Sequence, residues 1–159
     1  MEEDARFEDG GDGPLRLRAS DTEDLDVLSA LVQDAVFPIT EMAWQPDRRR
    51  FALLLNRFRW EDLPTAERRG RAVERVQALL VVSDVMHVSS QGIDRSEKDM
   101  VLSLLMLEFE SGGDGTGRLI LTLAGDGAIA LDVETLEVTL KDVTRPYSAP
   151  SKKTPDHPD

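Results

Sequence analysis

The fold is best predicted from residues 48–61, which read RRRFALLLNRFRWE. Apolar residues fill the middle of this segment, and arginines stand towards both of its ends. Successive side chains of an extended strand point to opposite faces. This alternation places on one face Phe51, Leu53, Leu55, Arg57 and Arg59. The pattern therefore predicts a β-strand over Arg50–Trp60, with one face that changes from apolar to basic along its length.

The chain on either side of this segment also shows strand patterns, with β-branched or alternating apolar residues. A turn at Pro46 and Asp47 joins the strand to the one before it. The long apolar segment after it is predicted to bend near Ser83 and Asp84, and glycines at 112–117 predict a hairpin loop. The predicted strands, about seven in number, are Leu15–Ala19, Ala35–Trp44, Arg50–Trp60, Val73–Ser89, Met100–Phe109, Arg118–Leu123 and Ala128–Val133.

One helix is predicted near the start of the chain, over about residues 22–34. Ser20 or Asp21 can cap its first turn, and apolar residues recur after it at spacings of three and four. A second helix is less clearly marked, because residues 133–143 fit both a strand alternation and a helical stripe. We expect a short C-terminal helix there. Residues 63–70 fit a helical turn that ends at Gly70.

Short connections between strands require antiparallel neighbours, since a parallel crossover needs a dozen or more residues. The sequence therefore predicts the α+β class, with a curved, mostly antiparallel sheet or partly closed barrel covered by the helix at about 22–34. Residues 14–143 form the predicted single domain. Residues 1–13 are predicted to be a flexible acidic tail, and residues 144–159 a proline-rich C-terminal tail.

Composition limits the possible functions. The 159 residues carry a formal net charge of −12, which opposes binding to nucleic acid or to an anionic membrane. The absence of cysteine excludes disulfides and thiolate sites, and no metal or cofactor is implied. The start of the chain lacks the apolar region of a signal peptide. We therefore expect a cytoplasmic protein, and the composition does not decide whether it is an enzyme.

The positive charge is concentrated in one part of the chain. Residues 45–75 contain nine Arg and five Asp or Glu, a balance of +4, whereas the rest of the chain contains ten Lys or Arg and 26 Asp or Glu, a balance of −16. Within this segment Arg57 and Arg59 would stand about 7 Å apart on one strand face. Two guanidinium groups so placed can hold a phosphate or carboxylate. They can equally pair with acids of the same chain.

Two groups of residues are therefore candidates for binding a ligand or a partner. The first is the arginine-rich strand and its ends, with aromatic Trp60 as a stacking surface. The second is the polar loop after the long strand, because loops on rigid sheets often carry binding residues. The candidates are Arg48, Arg50, Asn56, Arg57, Arg59, Trp60 and Glu61 in the first group and Gln91, Asp94 and Arg95 in the second.

Three segments of the chain resemble a family of short bacterial proteins that is catalogued as a domain of unknown function. The segments are FALLLNRFRWE at 51–61, SQGIDR at 90–95 with LSLL at 102–105, and GAIALDVE at 127–134. The run Asn56–Glu61 is the most specific of them. The resemblance extends over roughly residues 14–157 and implies a bacterial, cytoplasmic, single-domain protein. It implies no activity, cofactor or catalytic residue.

Two functions fit these observations. The first is a non-enzymatic binding module that uses residues 48–61 to contact an acidic protein surface, most simply that of a second copy of the same chain. The second is a small-anion or nucleotide-binding protein, with or without enzymatic activity, in which Arg57 and Arg59 clamp the ligand. The environment of these two arginines decides between them.

Overall fold

The structure, a computed structural model, describes residues 3–4 and 13–148 of the chain. Within these residues it contains two α-helices, α1 (Thr22–Leu31) and α2 (Leu63–Arg68), and twelve strands. The strands are β1 (Glu3–Asp4), β2 (Arg16–Ala19), β3 (Val36–Pro38), β4 (Met42–Gln45), β5 (Arg50–Phe58), β6 (Glu74–Val82), β7 (Val85–Gln91), β8 (Val101–Ser111), β9 (Gly117–Leu123), β10 (Ala128–Val133), β11 (Val138–Asp142) and β12 (Tyr147–Ser148).

The strands form one sheet in the order β1-β2-β11-β6-β5-β3-β8-β9-β10-β7, with β12 beside β6 and β4 beside β5. β1 and β2 pair in parallel, and the other pairs of the described residues are antiparallel. The predicted antiparallel sheet is therefore confirmed. β5 lies at its centre: it pairs with β6 from Phe51 to Phe58, and with β4 and β3 on its other side.

The predicted strand count of about seven is wrong, because several predicted strands are interrupted. The segment Ala35–Trp44 contains a 3₁₀ turn at Ile39–Glu41, which separates β3 from β4. The long segment after Val73 divides at Asp84, whose φ of 56° bends the chain between β6 and β7. The bend predicted at this place is confirmed. The glycine-rich loop is also a hairpin loop, between β8 and β9, with Gly113 and Gly115 at positive φ.

The sheet does not close into a barrel. Within the described residues β7 pairs only with β10, and β1 at the opposite end pairs only with β2. Of the two predicted alternatives the structure therefore contains an open sheet. Besides β1 and β7, the short strands β4 and β12 also pair with one neighbour each within the described residues. The edge of β7 lies next to the turn between β4 and β5, because the backbone N–H of Val85 donates to the carbonyl oxygen of Arg49 at 2.8 Å.

The predicted C-terminal helix is also wrong. Residues Val138–Asp142 form β11, which pairs with β6 on one side and with β2 on the other. Val138, Leu140 and Asp142 are buried at alternate positions, as in a strand with one face in the core. The strand periodicity prevails because two neighbouring strands provide hydrogen-bond partners. The predicted C-terminal tail contains β12, and residues 149–159 lie outside the described range.

The predicted N-terminal helix is confirmed, although α1 is shorter than expected. The Asp21 side chain caps it by accepting a hydrogen bond from the N–H of Asp24 at 2.8 Å. The helix ends at Leu31 rather than near residue 34, because the chain turns into the left-handed region at Asp34. α1 packs against β8 and β2 through its buried leucines, which are Leu25, Leu28 and Leu31.

A small second cluster lies beside the main core at the C-terminal end of β5. Phe58, Ala66 and Val73 are buried there, and Trp60 and Leu63 pack against them. The cluster joins α2 to β5 through a 3₁₀ turn at Trp60–Asp62. This arrangement places the acidic residues of the turn beside the arginines that end β5. It therefore determines the surroundings of the predicted anion clamp.

Candidate binding site

Arg57 is fully buried, with 0% of its surface exposed. Its guanidinium group donates five hydrogen bonds. Nε and Nη2 bind the two oxygens of Asp142 at 3.1 and 2.9 Å, Nη1 and Nη2 bind the two oxygens of Glu61 at 2.9 Å each, and Nη1 also binds the carbonyl oxygen of Phe58 at 3.0 Å. A guanidinium group has five N–H donors, so none remains for a ligand.

The charge of Arg57 is stabilised by these contacts. Burial acts to lower the pKa of its guanidinium group, but hydrogen bonds and Coulombic attraction from Glu61 and Asp142 outweigh burial and hold the pKa above its ordinary value. The two carboxylates are themselves only 1% and 2% exposed. A buried charge is tolerable when it is paired and hydrogen-bonded in this way. Arg57 is therefore a permanent cation inside the domain.

Arg59 belongs to the same group of charges. Its side chain is 5% exposed, and Nη1 lies 2.9 Å from Glu74 and 3.4 Å from Asp62. Arg71 contacts the same two acids, with Nη2 at 2.8 Å from Asp62 Oδ2. We call this set the buried arginine network. It comprises Arg57, Arg59, Arg71, Glu61, Asp62, Glu74 and Asp142.

The other candidates of this end of β5 also make internal contacts. Asn56 donates from Nδ2 to the hydroxyl of Tyr147 at 2.6 Å. The indole N–H of Trp60 donates to the carbonyl oxygen of Gln33 at 2.9 Å, and its ring lies 5.4 Å from that of Phe58. The candidates from Asn56 to Glu61 thus lie close together, but their hydrogen bonds connect strands and turns of the same domain.

The arginines at the opposite end of β5 have different surroundings. Arg48 and Arg50 are exposed, and within the described residues neither side chain forms a hydrogen bond or an ion pair. Arg49 lies between them with a φ of 52°, and its side chain pairs with Glu134 at 3.1 Å. We call residues 46–50 the β4–β5 turn. It presents two uncompensated positive charges to solvent.

A groove near this turn is lined by residues of both β4 and β7. We call it the β4–β7 groove. It contains a cavity of about 60 Å³ lined by Met42, Trp44, Phe51, Val88, Ser90, Arg95 and Ile129. The lining is mainly apolar, and Arg95 is exposed. Its side chain makes no hydrogen bond or ion pair with any other described residue.

The polar loop after β7 supplies one end of this groove. Gln91 is exposed at the last position of β7. Asp94 accepts hydrogen bonds from the side chain and backbone N–H of Ser96, which lower the pKa of its carboxyl group. Its carboxylate is thus engaged within the loop, whereas Arg95 lines the groove. Of the three loop candidates, Arg95 is the one that the structure brings to a cavity.

The chain also matches a known protein family. A family model described as "Protein of unknown function (DUF2948)" matches residues 15–157. The chain belongs to this family. The predicted membership of a family of unknown function is therefore confirmed. No curated protein and no solved structure matches the chain.

In this member of the DUF2948 family, sequence reasoning missed most of the groove. Met42, Trp44 and Val88 read as ordinary strand residues, and the cavity depends on strands that are distant in sequence. One signal was available: neither MAWQ at 42–45 nor VMHVSSQ at 85–91 contains a charged residue or a proline.

Within residues 3–4 and 13–148, no group of three or more His, Asp or Glu side chains is placed to hold a metal ion. In the same part of the chain, every helix is too short or too polar to cross a membrane. His87 lies 3.6 Å from Asp132, and both belong to the exposed side of the β7–β10 pair.

Proposed function

We propose that this family member is a non-enzymatic binding module of the bacterial cytoplasm, which contacts an acidic protein surface through the β4–β5 turn. The observation that carries the proposal is the exposed, unpaired state of Arg48 and Arg50 among the described residues. Complementary charge steers association and fixes the register of an interface. Because the chain has a net charge of −12, a second copy is the simplest acidic partner.

The difference between the two ends of β5 supports this choice. Arginines that stabilise the fold are ion-paired with acids of the same chain, as Arg57 is with Glu61 and Asp142. In the β4–β5 turn, by contrast, no acid of the described residues forms an ion pair with Arg48 or Arg50, although the chain holds 31 acidic residues. Two exposed like charges two residues apart in the chain repel each other. An acidic partner removes this repulsion, whereas solvent screens it in the free protein.

The alternative of a small-anion site on Arg57 and Arg59 is not favoured. The five N–H donors of Arg57 are engaged within the domain, and a ligand would have to displace a buried carboxylate. Removing one partner of a buried ion pair costs about 3–5 kcal/mol. A small anion would have to repay that cost before it gained any affinity.

Sedimentation velocity tests the proposal. We would compare the wild type at about 20 mM and about 500 mM NaCl, since added salt shortens the range of exposed charges. Arg48→Glu/Arg50→Glu is the test variant. Arg68→Glu/Arg69→Glu is the matched control, because it makes the same change of charge at exposed positions at the end of α2. Binding of immobilised polyglutamate is measured in parallel as a defined acidic probe.

We expect self-association or polyglutamate binding by the wild type at low salt, and a loss of about tenfold or more in the test variant. The control variant should keep most of that binding. The proposal is overturned if the wild type neither associates nor binds polyglutamate. It is also overturned if the two double variants lose binding equally, because net charge alone would then explain the effect.

A further inference from the structure

The free edge of β7 lacks the features that usually protect an edge strand. Its seven residues, VMHVSSQ, include no charge and no proline, in a chain in which 31% of the residues are charged. Soluble proteins usually place lysine, proline or other charges on free edges to prevent pairing with another chain. The edge at the opposite end of the sheet, β1, consists of Glu3 and Asp4. β7 is therefore open to a further strand.

The pairing of β7 is regular where the edge is exposed. His87 to Gln91 pair with Asp132 to Ala128 without interruption, and the one register shift lies before them, next to Val133. The side chains from Ser89 to Gln91 are exposed. The edge opposite β10 thus offers unpaired backbone donors and acceptors along several residues, within the described part of the chain.

The size of the cavity beside this edge indicates what it can hold. Its volume of about 60 Å³ corresponds to roughly two water molecules of liquid, at about 30 Å³ each. Pockets for small metabolites measure about 300–1,000 Å³. Met42 and Trp44 bound the cavity on one side and Val88 on the other. It therefore suits one short aliphatic side chain and is too small for a nucleotide.

An arginine without an ion-pair partner among the described residues lies at each end of the groove, although acids stand beside it in the chain, Asp47 next to Arg48 and Asp94 next to Arg95. The β4–β5 turn lies beside the start of β7, as the hydrogen bond from Val85 to Arg49 shows, and carries Arg48 and Arg50. Arg95 follows the end of β7 and lines the cavity. Six residue steps along β7 span about 20 Å at 3.3 Å each. An uncharged strand edge between two positive ends complements a segment that is apolar in the middle and acidic at its ends.

We propose that an extended acidic segment of the partner protein adds as a strand to the free edge of β7. One aliphatic side chain of the segment fills the cavity of the β4–β7 groove, and acidic side chains contact Arg95 and the β4–β5 turn. Main-chain hydrogen bonds supply affinity in this binding mode, and the side-chain pocket supplies specificity. The inference rests on the proposed function, because it uses the same positively charged turn, and it commits to a segment of a separate acidic protein rather than to a second copy.

A single segment fits the groove better than the sheet edge of a second copy. Residues of β4 and β7 line the same cavity from its two sides, so β4 stands close to the free edge of β7. One extended chain can enter this space. A whole sheet brought edge to edge would meet β4 and the β4–β5 turn.

Peptide selection with the full-length protein tests the inference. The bait is the wild type, presented with a phage-displayed library of random heptapeptides. Ser90→Leu is the test variant, because Ser90 lines the cavity and a leucine there would fill it. Ser89→Leu is the matched control: it makes the same change at the next residue, which does not line this cavity but lines, together with Ser90, a separate hollow beside Ala128, Ala130 and Ile120. Equal melting temperatures show that both variants fold.

We expect the selected peptides to share an aliphatic residue with Asp or Glu on either side. Filling the pocket in Ser90→Leu should weaken their binding by about tenfold or more, whereas Ser89→Leu, on the same strand but outside the cavity, should weaken it far less. Arg95→Glu should also weaken it by about tenfold. Amide hydrogen exchange of the complex should show new protection within residues 86–91. Selection without a consensus, equal binding by the two serine variants, or unchanged exchange of β7 would each overturn the inference.

Two outcomes separate this inference from the proposed function. If the peptides bind the Ser90→Leu variant more weakly but bind Arg48→Glu/Arg50→Glu as tightly as the wild type, the role of the β4–β5 turn is contradicted and binding in the groove is supported. If they lose affinity in the arginine variant but not in Ser90→Leu, the groove alone is contradicted. Self-association of the peptide-free protein that Ser90→Leu abolishes would identify a second copy as the occupant, and would overturn the choice of a separate segment.

Discussion

The two ends of β5 carry the same residue type in opposite states. Arg57, at the C-terminal end, is 0% exposed and donates its five hydrogen bonds within the domain. Arg50, at the N-terminal end, is exposed and without a side-chain partner among the described residues. The difference arises from the acids around them. β11 and the 3₁₀ turn at Trp60–Asp62 bring carboxylates to Arg57, whereas at the other end Glu134 pairs with Arg49 and no acid of the described residues pairs with Arg50.

This comparison shows that a positive charge on a strand is not by itself evidence of a site. At the C-terminal end of β5, which we call the closed end, the charges hold β5, β6, β11 and the 3₁₀ turn together, and their removal should affect stability. At the N-terminal end, which we call the open end, their removal should affect binding and leave stability nearly unchanged. Each variant below tests one side of this distinction.

The largest effect is expected from Arg57→Met. Methionine keeps much of the length of the side chain but leaves the buried carboxylate of Asp142 without its ionic partner, and that of Glu61 with Arg59 alone, at 3.9 Å. The free energy of unfolding should fall by about 3–5 kcal/mol, a large part of the stability of a domain. Urea denaturation measures the change. The matched control is Arg50→Met, which should change the free energy by less than about 0.5 kcal/mol.

A variant that fails to fold can still be interpreted. Arg57→Met/Glu61→Gln/Asp142→Asn removes the uncompensated charges together with the arginine, so it should recover part of the lost stability. If this triple variant is less stable than Arg57→Met, the charge argument is wrong. If Arg57→Met and Arg50→Met are equally stable, the distinction between the two ends of β5 fails.

A smaller effect is expected from Asp142→Asn. The Asp142 carboxylate accepts hydrogen bonds from Arg57 and from the backbone N–H of Leu15 at 2.9 Å, so it connects three parts of the chain. An amide places a donor where one acceptor stood, while Glu61 still neutralises the arginine. The loss should be about 1.5–3 kcal/mol, the value of hydrogen bonds to charged groups. Thermal and urea unfolding measure it, and a loss as large as that of Arg57→Met would contradict the expected ranking.

The alternation of β5 predicted correctly which residues share a face, but not that this face points inward with its arginines. The reason is physical: Asp142, which closes Arg57, lies 85 residues away in sequence. The helix cap at Asp21 and the bend at Asp84 were predictable because they depend on neighbouring residues. The strand β11 was not, because its pairing with β6 and β2 decided between two periodicities that its own residues fit equally.

The groove could not be predicted from local sequence patterns either. Trp44 and Val88 line one cavity although 44 positions separate them in the chain. Candidates near the groove were found through exposed polarity, as Arg95 was. The apolar lining was missed because apolar strand residues are ordinarily core residues. The sequence thus predicted the elements around the binding site better than the site itself.

Trp60→Phe tests a neutral contact at the closed end of β5. The substitution removes the hydrogen bond from the indole N–H to the carbonyl oxygen of Gln33 and keeps an aromatic ring beside Phe58. We expect a loss of about 1 kcal/mol, the net value of a neutral hydrogen bond. Urea denaturation measures it, and the binding of selected peptides should not change. A change in peptide affinity without a change in stability would place a binding role at this end.

The smallest effect concerns an exposed acid in the β8–β9 loop, where solvent screens the charge. Hydrogen bonds from the side chain and then the backbone of Thr116 lower the pKa of Asp114 in the folded protein. Because the folded pKa lies below the unfolded value of about 3.9, the contribution is present above that pH and is lost as the pH falls through the folded pKa. Asp114→Asn should therefore melt slightly below the wild type at neutral pH. The gap should close as the pH falls below about 4. Melting curves of both proteins over this range measure it, and a gap that stays constant with pH would show that the charge of Asp114 contributes nothing.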